Sequence, residues 1–214
     1  MKPNVLQTMK NALRGFKKPT VVLLTLAFAC MVFVNVGYLT WMPLYLVENY
    51  GMSITYAGFS SLIYHHVGAF FGVMIGARIA DKQAKKDPQR RLIIQTIALL
   101  GGAPFIFLMG FADNQVVTYA ALAIFGLMRG IYDSNIFASL YEVVQPAVRS
   151  SATGFMLMFA FLMGAFAPLI MGLLKPTLGL AASFSSLSAF YVLGGIFILM
   201  ATLFWFKKDY CEEK

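Results

Sequence analysis

The chain has 214 residues, of which 59% are hydrophobic and only 12% are charged, with 20 Phe and 13 Met. Soluble globular domains carry roughly 25% charged residues, and disordered chains are polar and poor in aromatic residues, so both classes are excluded. The formal net charge is +8, but the basic residues cluster at the ends of long apolar runs, which argues against a nucleic-acid binder. The two cysteines, Cys30 and Cys211, make neither a disulfide framework nor a metal site, and no cofactor is expected. The composition therefore indicates an integral membrane protein.

Six apolar runs are long enough to cross a membrane as helices. A crossing helix needs about 20 mostly apolar residues, because about 30 Å of hydrocarbon is covered at 1.5 Å per residue. The runs are roughly Thr20–Val47, Thr55–Ala80, Leu92–Phe111, Val116–Val144, Ala152–Leu174 and Ala181–Phe206. None of them alternates as a transmembrane β-strand does. We predict an all-α membrane protein with a basic leader at 1–18, a six-helix transmembrane domain at 19–206 and a tail at 207–214.

The positions of the basic residues predict the orientation of these helices. Nearly all of the 17 Lys and Arg residues lie before the first run, between the second and third, between the fourth and fifth, or after the sixth. Of the Lys and Arg residues, Lys175 alone falls on the other side of the membrane, and Arg129 lies within an apolar run. Cytoplasmic loops are enriched in Lys and Arg. Both termini are therefore expected to be cytoplasmic.

The first two helices carry polar side chains whose role the sequence leaves open. Asn35 and Tyr38 in the first helix are candidates for contact with a solute, although Tyr38 equally fits the aromatic belt at the membrane surface. His65 and His66 lie midway along the second helix. Histidine titrates near physiological pH, so a proton relay and a hydrogen-bonded packing residue are both open. His65 is in register with Gly68, which places it beside a close neighbour, whereas His66 points about 100° away.

Small residues recur at four-residue spacing in three of the helices and predict close helix packing, because they let backbones approach. These stripes are Gly68, Gly72 and Gly76 in the second helix, Gly126, Gly130, Ser134 and Ala138 in the fourth, and Ala160, Gly164, Pro168 and Gly172 in the fifth. Prolines within three spans predict kinks, because each removes a backbone hydrogen bond. They are Pro43, Pro104 and Pro168.

The fourth helix carries Arg129 and Asp133 about halfway along its length. An ionisable side chain at mid-bilayer costs at least about 2.5–3.5 kcal/mol, so it indicates a functional site. The i, i+4 spacing allows the two to pair, with Tyr132 on the same broad face and Asn135 directed toward a neighbouring helix. One interpretation is a polar cavity in which Arg129 offers a planar cationic fork to a carboxylate while Asp133 accepts a proton. The other is a self-neutralising pair that only fixes packing.

The loop after the second helix reads GARIADKQAKK from Gly76 to Lys86. It resembles the signature loop of the major facilitator superfamily, a Gly-rich helix end followed by Ala-Asp-Arg/Lys, one residue, Gly and two basic residues. Ala84 stands where the family usually has Gly. The resemblance implies a cytoplasmic gating loop, in which Asp81 among bases locks helix ends in one state. The loop residues concerned are Gly76, Arg78, Asp81, Lys82, Lys85 and Lys86.

A single imperfect copy of this loop and a basic leader make the chain resemble the C-terminal six-helix half of that family. The resemblance implies two inverted three-helix repeats and a solute site at mid-bilayer between two halves. The stretch Gly126–Asn135 is also similar to the corresponding helix of bacterial members near the anion:cation symporter branch, which move sugar acids. The implied partners are the lipid bilayer of a bacterial inner membrane, a small solute and an N-terminal six-helix half, with no nucleic acid.

Three functional hypotheses follow from these residues. The leading one is half of a secondary transporter for a small polar or anionic organic solute, driven by a proton or ion gradient through Asp133 and His65. The second is a truncated, non-transporting module that only assembles with partner helices. The third is an intramembrane enzyme using His65, His66 and Asp133, but no HExxH, GxSxG or paired intramembrane carboxylates are present. No enzymatic activity is therefore predicted.

Overall fold

The computed structural model of the chain describes residues 18–211, and its regular structure there is entirely helical. The four long helices that come first are α1 (Pro19–Tyr50), α2 (Ile54–Ala84), α3 (Gln89–Phe111) and α4 (Gln115–Val143). A 3₁₀ turn at Pro146–Val148 leads to α5 (Arg149–Gly164), α6 (Phe166–Met200), a π-helical segment (Ala201–Trp205) and α7 (Phe206–Asp209). The expected leader lies outside the described residues except for Lys18.

Local sequence signals set the first helix boundaries. α1 begins at Pro19, where the missing N–H costs nothing because the first helical N–H groups have no intrahelical partner. It ends at Tyr50, and the next residue, Gly51, has a φ of 64°, in the left-handed region that glycine enters without a Cβ penalty. Ser53 caps α2 by accepting a hydrogen bond from the Tyr56 backbone N–H, and Asn114 caps α4 in the same way.

Between residues 18 and 211, five helical stretches are long and apolar enough to cross a membrane, namely α1 to α4 and the continuous run Pro146–Asp209. As one straight helix this run of 64 residues would be about 96 Å long, three times the hydrocarbon thickness. Its two ends nevertheless lie together, because the Cys211 backbone N–H donates to the Glu142 carbonyl at 2.8 Å. The helical geometry is interrupted at Gly179, with φ 73° and ψ 167°. The run therefore folds back on itself at this glycine.

The break near Pro168 differs in form from the predicted kink. α5 ends at Gly164 and α6 begins at Phe166, so Pro168 lies in the first turn of a new helix. An N–H in the first turn has no intrahelical acceptor, and proline is tolerated there. Pro43 and Pro104, in contrast, lie inside α1 and α3.

α2 packs along α4 with backbone against backbone, as the small-residue stripes predicted. A Cβ atom added to Gly72 would overlap the Leu127 carbonyl oxygen, and one added to Gly126 would overlap the carbonyl oxygen of His65. Gly68, Gly76 and Gly130 make the same kind of backbone contact across this interface. The backbones of α2 and α4 are therefore in direct contact, and there is no room for a side chain at these glycines.

The remaining helices surround this pair. α1 packs on α5 and α6, and α3 packs on α4 and α6. At the contact between α1 and α5, a Cβ added to Gly164 would approach Val32 Cγ1 to 2.8 Å. The Trp41 indole N–H donates to the Pro168 carbonyl at 3.1 Å and fastens α1 to the start of α6.

Candidate functional site

Arg129 and Asp133 lie one turn apart on α4 and form an ion pair, with 3.2 Å between Arg129 Nε and Asp133 Oδ2. The side chains are 19% and 29% exposed, so the pair is neither sealed in the bundle nor fully open to its surroundings. Two charged groups in an otherwise apolar run are costly unless they are paired and reach a polar space. Part of each side chain remains exposed, toward a space between α1, α4 and α5.

That space is a partly open pocket of about 280 Å³ between α1, α4 and α5. Its polar lining consists of Asn35, Arg129 and Asp133, and its walls are apolar side chains from all three helices, Phe28, Met31, Val32, Phe137, Leu157 and Phe161. The Oδ1 atom of Asn35 is buried and has no hydrogen-bond partner among residues 18–211. The pocket therefore offers one cation, one anion and one free amide oxygen on an apolar wall.

The pocket walls follow a helical spacing that is already visible in the sequence. On α4, Phe137 continues the stripe of Arg129 and Asp133 at another four residues. On α1, Phe28 and Asn35 are seven residues apart and lie on one face. The sequence-based predictions did not include Phe137, although extending the Arg129–Asp133 stripe by one turn identifies it as part of the pocket wall.

His65 of α2 contacts the same arginine from behind the pocket, with its Nε2 atom 3.0 Å from Arg129 Nη1. Because a guanidinium can only donate, Nε2 accepts this hydrogen bond and the imidazole is neutral, with its proton on Nδ1. The side chain is fully buried, and Nδ1 has no partner within the described part of the chain. The Tyr38 and Phe125 rings pack on it, with centroids 4.9 and 4.8 Å away. Arg129 is therefore held between His65 and Asp133.

The other predicted site residues lie away from the pocket. Tyr132 is fully buried in the bundle, and its hydroxyl has no partner among the described residues. It lies about 100° from Asp133 around the helix and turns into the core, so it does not line the pocket with Arg129 and Asp133. Tyr38 is also buried, and its hydroxyl donates to the Ser61 carbonyl, so it is not a belt residue. His66 is exposed, and its Nδ1 donates to the Leu62 carbonyl at 2.9 Å.

A second polar cluster forms where α2 ends and α3 begins, at the end of the bundle that we call the basic end. Arg91 of α3 donates to Asp81 at 3.0 Å, to Glu142 at 3.1 Å and to the side-chain oxygen of Asn135 at 3.0 Å. The predicted contact of Asn135 with a neighbouring helix is thus present. Sequence reasoning did not single out Arg91, because nothing in the sequence indicates which basic residue of this loop turns inward.

The residues of the predicted gating loop surround this cluster. Gly76 is buried, and a Cβ added to it would lie 2.6 Å from Ile131 Cα of α4. Asp81 accepts its hydrogen bond from Arg91. The remaining bases lie on the outside of the bundle, namely Arg78, Lys82, Lys85 and Lys86. Among the described residues, no group of three or more His, Cys, Asp or Glu is placed to hold a metal ion.

Comparison with known proteins identifies the family. Residues 2–168 match the family model described as Major Facilitator Superfamily, which is well over half of the chain. The chain belongs to this superfamily of membrane transporters.

Two curated relatives have similar sequences. Protein spinster homolog 1 of Xenopus tropicalis is 27% identical over 88% of this chain and 41% of its own length. The hexuronate transporter of Bacillus subtilis is 27% identical over 84% of this chain and 42% of its own length. The chain thus spans less than half the length of these curated relatives.

The fold matches that of a solved transporter. The inward-facing, occupied crystal structure of a bacterial homolog of the human lysosomal transporter Spinster superposes with a TM-score of 0.78 at 18% identity. The match covers 92% of this chain and 51% of that one. The unoccupied inward-facing structure gives a TM-score of 0.71 and covers 95% of this chain. At this identity the likeness shows the fold alone.

Proposed function

We propose that the chain is one six-helix half of a secondary transporter that moves a small organic anion, such as a sugar acid, across a bacterial inner membrane. The observation that carries the proposal is the Arg129–Asp133 ion pair, which lines a pocket between α1, α4 and α5. The family membership and a hexuronate transporter among the relatives support an anionic solute.

The positions of the first and last helical residues favour six membrane crossings, arranged as two inverted three-helix repeats. Lys18 Nζ donates to the carbonyl of Asp209 at 2.7 Å, so the first and last helical residues lie at the same end of the bundle. A chain whose two ends lie on one side crosses the membrane an even number of times. The reversal at Gly179 supplies the extra crossing within the run Pro146–Asp209. The distribution of bases favours the cytoplasmic side for this end.

Charge balance at the pocket favours coupling to a proton. Arg129 and Asp133 neutralise each other, and an added carboxylate would leave one uncompensated negative charge in a medium of low dielectric constant. If Asp133 takes up a proton, Arg129 can bind the solute instead, and the site stays neutral. His65 is a second candidate proton acceptor, since its Nε2 atom carries a free electron pair that now accepts a hydrogen bond from Arg129. A proton on Nε2 would break that hydrogen bond and so couple protonation to the position of Arg129.

The Arg91 cluster is our candidate for the cytoplasmic lock that the loop motif implies. It joins Asp81 at the end of α2 to Glu142 at the end of α4 through one guanidinium. Opening on the cytoplasmic side would require this arrangement to change.

The partner is a second six-helix half, from the same longer chain or from another one. Large apolar side chains on α2 and α5 are exposed in this chain, including Phe59, Phe70, Met158 and Leu162. In the related solved structure the matched part is 51% of the chain, which leaves room for a second bundle of similar size. Part of this apolar surface would contact that half and part would contact lipid.

Uptake of two labelled organic anions, a hexuronate and phenylacetate, by proteoliposomes of the complete protein tests the function. We expect Arg129→Gln to reduce uptake at least tenfold, because one lost charge-assisted contact costs about 1.5–3 kcal/mol. We expect Asp133→Asn to retain solute binding but to lose acceleration by a proton gradient. Exposed Lys207→Gln is the control for lost positive charge. Wild-type rates in both pocket variants would remove the pair from the site.

Two further variants separate the histidines. His65→Gln keeps a side-chain acceptor for Arg129 but cannot titrate, so we expect uptake to persist with a flatter dependence on pH. His66→Gln, on the exposed face of the same helix, is the matched control and should keep the wild-type profile. Folded complete protein that transports no organic anion would favour the alternative, a non-transporting module that only assembles with partner helices.

A further inference from the structure

We propose that the pocket beside Arg129 selects an organic anion with a flat, apolar body, such as an aryl-substituted acetate, over a polyhydroxylated acid. This inference rests on the proposed transport of a small organic anion, and it replaces the sugar acid named there as an example by an anion whose body carries no hydroxyl groups.

The walls of the pocket are the first reason for this selectivity. The Phe28 and Phe137 rings meet edge to face, with centroids 5.6 Å apart, and Phe161 adds a third ring from α5. Aromatic groups prefer such offset or edge-on neighbours at ring separations of about 4.5–7 Å. A flat aromatic body therefore finds complementary surfaces on two sides of the pocket.

The scarcity of hydrogen-bonding groups is the second reason. Beyond the ion pair, the lining within residues 18–211 offers a polar side chain only at Asn35. A hexuronate brings several hydroxyl groups, and each one that loses water without gaining a partner weakens binding. On this half of the site, one amide cannot satisfy them. An anion whose body has no hydroxyl groups avoids this penalty.

Size and charge complete the match. A dry apolar cavity of about 150 Å³ holds a benzene molecule. The pocket of about 280 Å³ therefore has room for one ring and a short acidic arm. The carboxylate of that arm would reach Arg129, the single cation on the wall among the described residues, while the ring lies against the phenylalanines.

Competition binding to the complete protein in nanodiscs tests the proposal, with labelled phenylacetate as probe and unlabelled phenylacetate or glucuronate as competitors. We expect phenylacetate to bind at least tenfold more tightly than glucuronate. Phe161→Ala should weaken phenylacetate binding about fivefold to tenfold and leave glucuronate within twofold. Phe204→Ala is the matched control, because Phe161 and Phe204 are 57% and 58% exposed and Phe204 does not line the pocket. Both changes remove an exposed ring, so neither is expected to prevent folding.

The outcomes separate the two claims. Glucuronate binding that equals or exceeds phenylacetate binding and depends on Arg129 would overturn the selectivity and leave the transport function standing. The selectivity is also overturned if Phe161→Ala and Phe204→Ala have equal effects on phenylacetate. Folded protein that neither binds nor transports either acid would overturn both claims. The wild-type ratio of the two affinities decides the question even without a variant.

Discussion

Arg91 is the side chain on which the polar contacts of the basic end converge. Its three hydrogen-bonding partners come from α2 and α4, and its side chain is only 11% exposed. The partner Asp81 is 63% exposed, so solvent screens that bond and it contributes little. The bonds to Glu142 and Asn135 are more buried and matter more, because unpaired polar atoms there would lose their hydration without compensation.

We therefore expect Arg91→Ala to destabilise the protein by about 2–4 kcal/mol, since it removes bonds to a charged and a neutral partner. Thermal unfolding in detergent measures this loss. The neighbouring Arg90→Ala is the control, because Arg90 is exposed and its side chain bonds Gln83. Arg91→Lys should recover only part of the loss, because an ammonium cannot reproduce the planar fork. Equal melting temperatures for both alanine variants would show that the cluster contributes no stability.

At the scale of elements, the α2–α4 pair is the closest packed part of the bundle. Its glycines face backbone atoms of the opposite helix, so an added methyl group has no flexible neighbour to displace. In lipid, such contacts replace the hydrophobic effect as the source of helix association.

Gly72→Ala is expected to destabilise the protein by about 1–3 kcal/mol, the range for overpacking a close interface. Gly58→Ala in the same helix is the matched control, because a Cβ there would have nothing within 4 Å. Alanine is the better helix former, so this control should be neutral or stabilising by up to about 1 kcal/mol. Melting curves of the two variants in one detergent give the comparison. A Gly72→Ala protein as stable as wild type would contradict the backbone contact.

For the whole molecule, the predicted number of crossings can be measured with single cysteines in a background lacking Cys30 and Cys211. Six crossings place Lys85→Cys and Lys207→Cys on one side of the membrane, and Asp113→Cys and Leu178→Cys on the other. An impermeant maleimide should label the first pair in inside-out vesicles and the second pair in intact cells. Labelling of Lys207→Cys in intact cells would indicate an odd number of crossings.

Much of this architecture followed from the sequence, because lipid imposes simple rules on length and backbone. Apolar run lengths predicted long crossing helices, and glycine spacing predicted close helix packing, although not which two helices would meet. The Arg129–Asp133 pairing followed from the i, i+4 spacing alone. Each of these features depends on one helix or on one repeated spacing.

Features that depend on two helices at once could not be predicted in this way. The inward turn of Tyr132, the buried position of Tyr38 and the role of Arg91 depend on which neighbour lies at that depth. The helical structure at 175–178 was also not predicted, because Lys175 and Pro176 mark the end of an apolar run in the sequence, whereas the helix continues to the break at Gly179.

The backbone contact between α2 and α4 has a mechanical consequence. Because α2 and α4 touch along their glycines, we expect them to move together as one rigid body. Arg129 lies near the middle of α4, and Glu142 lies near its C-terminal end, 13 residues or about 20 Å further along the helix. If the proposed transport function holds, a movement of Arg129 on solute binding would therefore be passed to the Arg91 contacts without bending of α4, and the helices that bend would be among the others of the bundle.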